Sequence, residues 1–123
     1  METPNIDRIA VDGVRYTNAF SASPICVPVR TALLTGMNAL KNGVSDNLHN
    51  LRGDWRDAGV KIWTEILSES DYYTAGIGKM HFYPWDEKRG FEYRVTCEDK
   101  RWTMVGDDYH GYLKQLGLKK LRG

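Results

Sequence analysis

Two short segments of this sequence hold side chains that can act together on a negatively charged group. Cys26 is followed by Pro28 and Arg30, and Lys79 and His81 stand two residues apart further along the chain. A thiolate is a nucleophile, a neutral histidine can take up a proton near pH 7, and Arg and Lys carry positive charge. The pattern therefore predicts a site in which a reactive group at position 26 lies beside cations that bind an oxyanion.

The segment that begins at Cys26 is predicted to form a short helix over about residues 27–34. Pro28 is favoured in the first turn of a helix, where its missing N–H costs nothing, and Gly36 can supply a left-handed cap. Cys26 then lies at the helix N-terminus, where free N–H groups and the helix dipole favour anions. Because Arg30 follows four residues later, it lies on the same face, and its planar fork matches a tetrahedral oxyanion.

A purely structural interpretation of the same residues stays open. Free cysteine is among the most buried residue types, so Cys26 could be a core thiol and Arg30 a surface residue. The phosphate loop of tyrosine phosphatases is excluded, because it needs an arginine six residues after the cysteine, where Ala32 stands. No second cysteine is near enough for C-x-x-C chemistry. A disulfide between Cys26 and Cys97 would remove the reactive thiol that the first interpretation needs.

Lys79 and His81 follow a predicted helix–turn–strand unit. Apolar residues at helical spacing predict a helix over about residues 62–70, with a turn at residues 71–72 and a strand at residues 73–77. Both side chains then emerge just past the carboxyl end of the strand, the edge at which open α/β sheets bind ligands. They have the same parity, so they point to one side if the extended conformation persists.

The two segments together resemble the formylglycine-dependent (type I) sulfatases of the alkaline-phosphatase-like superfamily, in their N-terminal portion. That family carries C-x-P-x-R and, after a later helix–strand unit, G-K-x-H, in the order seen here. The similarity covers nearly the whole chain and is strongest over residues 3–36 and 62–92. Two positions depart from the pattern: Val29 stands where the family often has Ser, and Asp71 where a Gly often ends the helix.

The resemblance implies a fold class and an activity. The fold would be α/β, an alkaline-phosphatase-like mixed sheet flanked by helices, present as an incomplete fragment. The activity would be that of a sulfuric ester hydrolase, with a sulfate ester as substrate. Cys26 would be oxidised by a formylglycine-generating enzyme, and the hydrate of the resulting aldehyde would be the nucleophile.

The resemblance also implies roles for individual residues. Arg30 and Lys79 would bind the sulfate, and Lys79 would also contact the formylglycine. His81 would hydrogen-bond the hydrate, bind substrate and help to collapse the sulfated intermediate. Calcium or another divalent cation would be coordinated by the modified Cys26.

Residues 1–123 are expected to be a partial catalytic domain that lacks the first metal-binding strand and the C-terminal half. The family's metal site begins with two adjacent aspartates upstream of the cysteine, whereas Asp7 and Asp12 are not adjacent and fall on a predicted amphipathic helix. Asp107 and Asp108 are adjacent but lie downstream of Cys26. We interpret Asp107 as a helix N-cap, with Asp108 in the first turn, rather than as a metal ligand.

Composition indicates an ordinary folded domain. The chain has 123 residues, of which 41% are hydrophobic and 27% charged, so it is one domain at most. A net charge of +1 predicts no nucleic-acid partner. No apolar run is long enough for a membrane span and no signal peptide is visible, so no membrane association is expected. The location stays open from the sequence, with a cytoplasmic bacterial one favoured over others.

The rest of the chain carries weaker predictions. Residues 5–12 are expected to form a helix, residues 14–20 a short strand, and residues 83–104 irregular structure. His49 and His110 are expected at the surface.

Three functions remain open from the sequence: a sulfatase, a formylglycine-dependent phosphonate or phosphodiester hydrolase, and a truncated module without catalytic activity. Nothing in the motifs separates sulfur from phosphorus.

Overall fold

The computed structural model describes residues 2–98 and 106–119, which form five helices and a small parallel sheet joined by long irregular segments. In these ranges the elements, in chain order, are α1 (Pro4–Asp12), α2 (Cys26–Thr35), α3 (Ala39–Asn42), α4 (Trp63–Ser68), β1 (Ala75–Gly78), β2 (Tyr93–Thr96) and α5 (Asp108–Gln115). The expected α/β character is therefore present.

The sheet consists of β1 and β2, which pair in parallel. Ala75 lies opposite Tyr93 and Gly78 opposite Thr96, and the ladder is extended by a bond from the Cys97 N–H to the Gly78 carbonyl at 3.0 Å. Parallel strands need a long crossover, which residues 79–92 provide. The expectation of irregular structure over residues 83–104 was wrong at β2, because pairing with β1 makes an extended strand of residues whose own pattern is weak.

Helix α2 begins at Cys26 and ends where the sequence predicted. Pro28 lies in its first turn, where no intrahelical N–H bond is lost. Ile25 at the N-cap position has no capping side chain, and instead Asn47 accepts the Val27 N–H at 2.9 Å from a distant loop. Gly36 ends the helix with φ of 66° and donates its N–H to Ala32.

Helix α4 leads into β1 through a left-handed residue. The helix is shorter than predicted, and Asp71, with φ of 63°, makes the turn between helix and strand. Aspartate tolerates this conformation better than most residues. The turn directs the chain into β1 and so sets where residues 79 and 81 emerge.

The core lies between α2, the following loops and α4. Its buried side chains are Val27, Leu34, Val44, Leu51, Trp55 and Ile62. Phe82 and Phe91, from the crossover between the strands, pack against this cluster. One face of α2 is thereby fixed against the segments that carry Lys79 and His81.

The helix α5 is capped as predicted. The Asp107 carboxylate accepts the His110 N–H at 2.6 Å. The Asp108 carboxylate accepts the Thr96 N–H at 2.6 Å and the Thr96 hydroxyl at 2.9 Å, and these bonds hold the pKa of Asp108 below its usual value. Asp107 and Asp108 thus tie α5 to the end of β2.

The N-terminal segment forms the expected helix but not the expected strand. Helix α1 follows Thr3 and Pro4 as predicted, although Thr3 donates to the Asp7 side chain instead of capping the backbone. The strand expected over residues 14–20 is absent, and that segment is irregular.

Within the described ranges, no helix has the length and apolar character needed to cross a membrane.

Candidate functional site

The structure joins the helix that carries Cys26 to the segment that carries Lys79. Arg30, one turn along α2 from Cys26, donates from Nη1 to the Lys79 carbonyl oxygen at 2.5 Å. The bond is partly buried, and it spans 49 residues of sequence. Arg30 therefore lies at the end of β1, beside the first residue that follows the strand.

His81 lies close to the same helix. It is buried, with 6% of its surface exposed, and together with Arg30 it lines a small cavity against α2. Its ring lies parallel to that of Trp85, with the centroids 6.1 Å apart. Arg30 and His81 thus line the same cavity, one from helix α2 and the other from the crossover.

The backbone does not stay extended through Lys79 to His81. His81 has φ of 57°, in the left-handed region, so the alternation expected from equal parity breaks at this residue. Met80 and His81 direct their N–H groups at the Glu98 carboxylate, at 3.0 Å and 3.1 Å. Lys79 is half-buried, whereas His81 turns into the interior.

Cys26 is a free, half-buried thiol at the first position of α2. It is neither in the core cluster nor among the residues that line the Arg30–His81 cavity. Cys97 is also free, so the disulfide considered from the sequence is not formed. The structure brings Arg30, Lys79 and His81 together and leaves Cys26 one helical turn from Arg30.

A buried arginine that the sequence did not single out lines the same cavity. Arg89 has 4% of its surface exposed and donates from Nη2 to the Tyr83 carbonyl at 3.0 Å. Burial lowers its pKa. Arg30, His81 and Arg89 thus place three basic side chains around one small space, a burial pattern that no sequence motif indicates.

The described residues do not supply a metal cage by themselves. No group of three or more His, Cys, Asp or Glu side chains converges anywhere in residues 2–98 and 106–119. Asp107, considered as a possible ligand, is engaged by the Glu98 and His110 N–H groups. Calcium prefers six to eight oxygen ligands, which this part of the chain does not bring together.

The two remaining histidines are outside the site. His49 is exposed, as expected, and its Nδ1 lies 2.8 Å from Asp46. His110 was expected to be exposed but is half-buried on α5, because the helix packs against the end of β2.

Comparisons with known proteins agree on one family. The sulfatase family model matches residues 1–120. The N-acetylglucosamine-6-O-sulfatase of Bacteroides thetaiotaomicron is 34% identical over 93 residues, 76% of this chain and 15% of that protein. The choline-sulfatase of Rhizobium meliloti is 31% identical over 107 residues, 84% of this chain and 20% of that protein.

A solved structure is also similar. The structure of BT4656 in complex with its substrate D-glucosamine-2-N,6-O-disulfate matches with a TM-score of 0.65 and 34% identity. The match covers 76% of this chain and 18% of that one. The chain therefore spans only a minor part, about a fifth or less, of the proteins that it matches.

Proposed function

The chain belongs to the sulfatase family, and from that premise we propose that it is the nucleophile-bearing part of a sulfuric ester hydrolase. Its fold class is α/β of the alkaline-phosphatase-like type, present in part. In the proposal, residues 1–123 are a partial catalytic domain, Cys26 is converted to formylglycine, and Arg30, Lys79 and His81 complete the site. The contact that supports it best is the hydrogen bond from Arg30 to the Lys79 carbonyl, which joins the two motifs.

The environment of Cys26 fits the modification. The thiol is free and half-buried, so it is not committed to a disulfide, and it begins a ten-residue helix. A formylglycine-generating enzyme would have to supply the oxidation. Once formed, the aldehyde would supply, as its hydrate, a hydroxyl nucleophile for the sulfur of the ester.

Arg30 and Lys79 are proposed to bind the sulfate. Arg30 keeps its charge under all ordinary conditions, and the carbonyl of Lys79 fixes one end of its guanidinium. A single cation about 4 Å from a sulfate oxygen contributes roughly 1 kcal/mol in water and about 4 kcal/mol at an effective dielectric constant near 20. Two such cations beside a helix N-terminus would stabilise negative charge as it develops on the ester.

His81 is proposed to move a proton and to contact the substrate. A neutral imidazole accepts a proton near pH 7 through a ring nitrogen. Its ring is buried and lies parallel to that of Trp85, which would limit its reorientation and favour transfer over a fixed path.

A divalent cation would need ligands beyond those that the described residues bring together. Calcium or another divalent ion would find a ligand at position 26, but the described residues bring no carboxylate group around it. The remaining ligands would have to come from outside these residues, and the roles given to Arg30, Lys79 and His81 do not depend on the ion.

The chemistry at position 26 can be tested by mass spectrometry. The chain is co-expressed with a formylglycine-generating enzyme, and the peptide that contains Cys26 is weighed. We expect the loss of mass that accompanies conversion of the thiol side chain to an aldehyde. The peptide that contains Cys97, which lacks the C-x-P-x-R context, is an internal control and should keep its thiol. A thiol at both positions contradicts the proposal.

Whether the substrate is an ester of sulfate or of phosphate is tested separately. A chain completed to the length of its relatives is assayed on an aryl sulfate and on a phosphodiester. Turnover of the sulfate ester agrees with the proposal. Turnover of the phosphodiester alone assigns the chain to the second class of hydrolase, and turnover of neither favours a module without catalytic activity.

A further inference from the structure

Glu98 is hydrogen-bonded to the backbone of the proposed site, although it belongs to neither motif. It follows β2 by two residues, and only 6% of its surface is exposed. Its carboxylate is turned toward the end of the neighbouring strand, not toward solvent. A carboxylate is costly to bury unless it receives hydrogen bonds, so its partners indicate what it does there.

Among the described residues, the Glu98 carboxylate accepts from two successive backbone N–H groups. Oε1 accepts the Met80 N–H at 3.0 Å and the His81 N–H at 3.1 Å, and Oε2 lies 3.1 Å from the same His81 nitrogen. Consecutive N–H groups that converge on one anion form a nest, which arises where the backbone enters the left-handed region. His81 does so, with φ of 57°.

The backbone of Glu98 is also held by a hydrogen bond. Its own N–H donates to the Asp107 carboxylate at 2.7 Å, and the same carboxylate caps α5 through the His110 N–H at 2.6 Å. A chain of hydrogen bonds therefore runs from the N-terminus of α5 through Asp107 and Glu98 to the turn at Met80 and His81. The Glu98 carboxylate is suited to fixing the backbone, because the residues that Glu98 joins, Asp107 on one side and Met80 and His81 on the other, are all buried.

We propose that Glu98 is a positioning residue, whose carboxylate holds the Met80–His81 turn and thereby sets the directions of Lys79 and His81. The inference rests on the proposed function only in that Lys79 and His81 are the site residues being positioned. Without this acceptor the two N–H groups would be left buried and unsatisfied, and the left-handed turn would lose the interaction that stabilises it. Glu98 touches no reacting atom in this role.

Hydrogen exchange of single amides tests the proposal in the 123-residue chain. In Glu98→Ala the amides of Met80 and His81 should exchange about tenfold faster or more, the factor that corresponds to losing a hydrogen bond to a charged group. The ring signals of His81 should shift as well. Amides of the β1–β2 ladder, such as that of Cys97, should change much less.

Two variants complete the experiment. Glu92→Ala is the matched control, since Glu92 is exposed and accepts from the Ser68 hydroxyl, and it should leave Met80 and His81 unchanged. Glu98→Gln keeps one acceptor oxygen and should exchange at a rate between wild type and Glu98→Ala. Unchanged exchange at both amides in Glu98→Ala overturns the proposal. If Glu98→Ala does not fold, the proposal is overturned instead by a Glu98→Gln variant whose Met80 and His81 amides exchange as in wild type.

These measurements are independent of the chemistry at position 26. Accelerated exchange with a thiol retained at Cys26 would support the positioning role while contradicting the proposed function. Unchanged exchange with an aldehyde at position 26 would contradict the positioning role while supporting the proposed function.

Discussion

Arg89 carries a positive charge in the interior, where charge is expensive. The described residues place no carboxylate within ion-pair distance of it, and its Nε and Nη1 have no hydrogen-bond partner. Its guanidinium instead lies over the ring of Trp55 at 5.5 Å and that of Phe82 at 5.9 Å. The packing of its long side chain against the core is therefore expected to matter more to stability than its charge.

Two substitutions separate packing from charge at Arg89. Arg89→Met keeps most of the apolar contact and removes a desolvated charge, so its free energy of unfolding should stay within about 1 kcal/mol of wild type. Arg89→Ala also removes the packing and should cost about 2 kcal/mol more than Arg89→Met. Urea unfolding of both variants measures the difference. Equal losses would mean that the cation itself, through its contacts with the two rings, supplies the stabilisation.

Helices α1, α2, α4 and α5 could be predicted from the sequence because their signals are local, whereas the one-turn helix α3 (Ala39–Asn42) was not predicted. Pro28 and Gly36 predicted the start and the end of α2 to within one residue. Asp107 caps α5 by a side-chain hydrogen bond to its own helix. The strand β2 could not be read, since residues 93–96 become a strand only by pairing with β1. Residues 14–20 show the converse, because a β-prone segment that finds no partner does not form a strand.

The candidate site follows the same division. Cys26, Arg30, Lys79 and His81 were identified because their spacing is a motif. Glu98 accepts the His81 N–H, and Asn47 accepts the N–H of Val27, the residue after Cys26. Neither forms a sequence pattern with the residue that it supports. Contacts of this kind depend on the tertiary fold, which a single sequence does not display.

Helix α4 and the crossover between the strands lie close together at Gly90. A Cβ added there would lie 2.5 Å from the Glu65 backbone nitrogen and 2.7 Å from the Thr64 hydroxyl, and φ is 75°. Gly36 has a similar φ of 66°, but no atom lies within 4 Å of the equivalent position. The two glycines share the left-handed backbone conformation, which would strain an alanine, and they differ in the space around them.

This difference predicts unequal costs for the same substitution. Gly36→Ala should lower the free energy of unfolding by about 1 kcal/mol, the cost of a left-handed alanine. Gly90→Ala adds a clash with backbone that cannot yield cheaply, so it should cost about 3 kcal/mol or more. Thermal or urea unfolding of the two variants tests this. Similar losses would show that α4 can move away from the crossover.

At the scale of the whole molecule, much apolar surface faces solvent. Helix α1 has no buried residue, and Ile6 and Ile9 are 66% and 73% exposed on one side of it. Tyr112 on α5 and Leu116 at its C-cap are also more than half exposed. The proteins that this chain matches are several times longer, so the corresponding segment in each of them adjoins far more protein than this chain contains. Large exposed apolar patches mark surfaces that associate.

We therefore expect the 123-residue chain to self-associate at micromolar concentration and to bind a dye that reports apolar surface. A net charge of only +1 gives little repulsion between copies. The double variant Ile6→Gln, Ile9→Gln should reduce both signals while changing the free energy of unfolding by no more than about 0.5 kcal/mol, because neither side chain is buried. Asn5→Gln, Arg8→Gln places two glutamines at the same spacing on the exposed surface of α1 and should leave both signals unchanged. Sedimentation velocity gives the oligomeric state. A wild-type chain that stays monomeric and binds no dye would mean that the apolar side of α1 is adequately solvated without further protein against it.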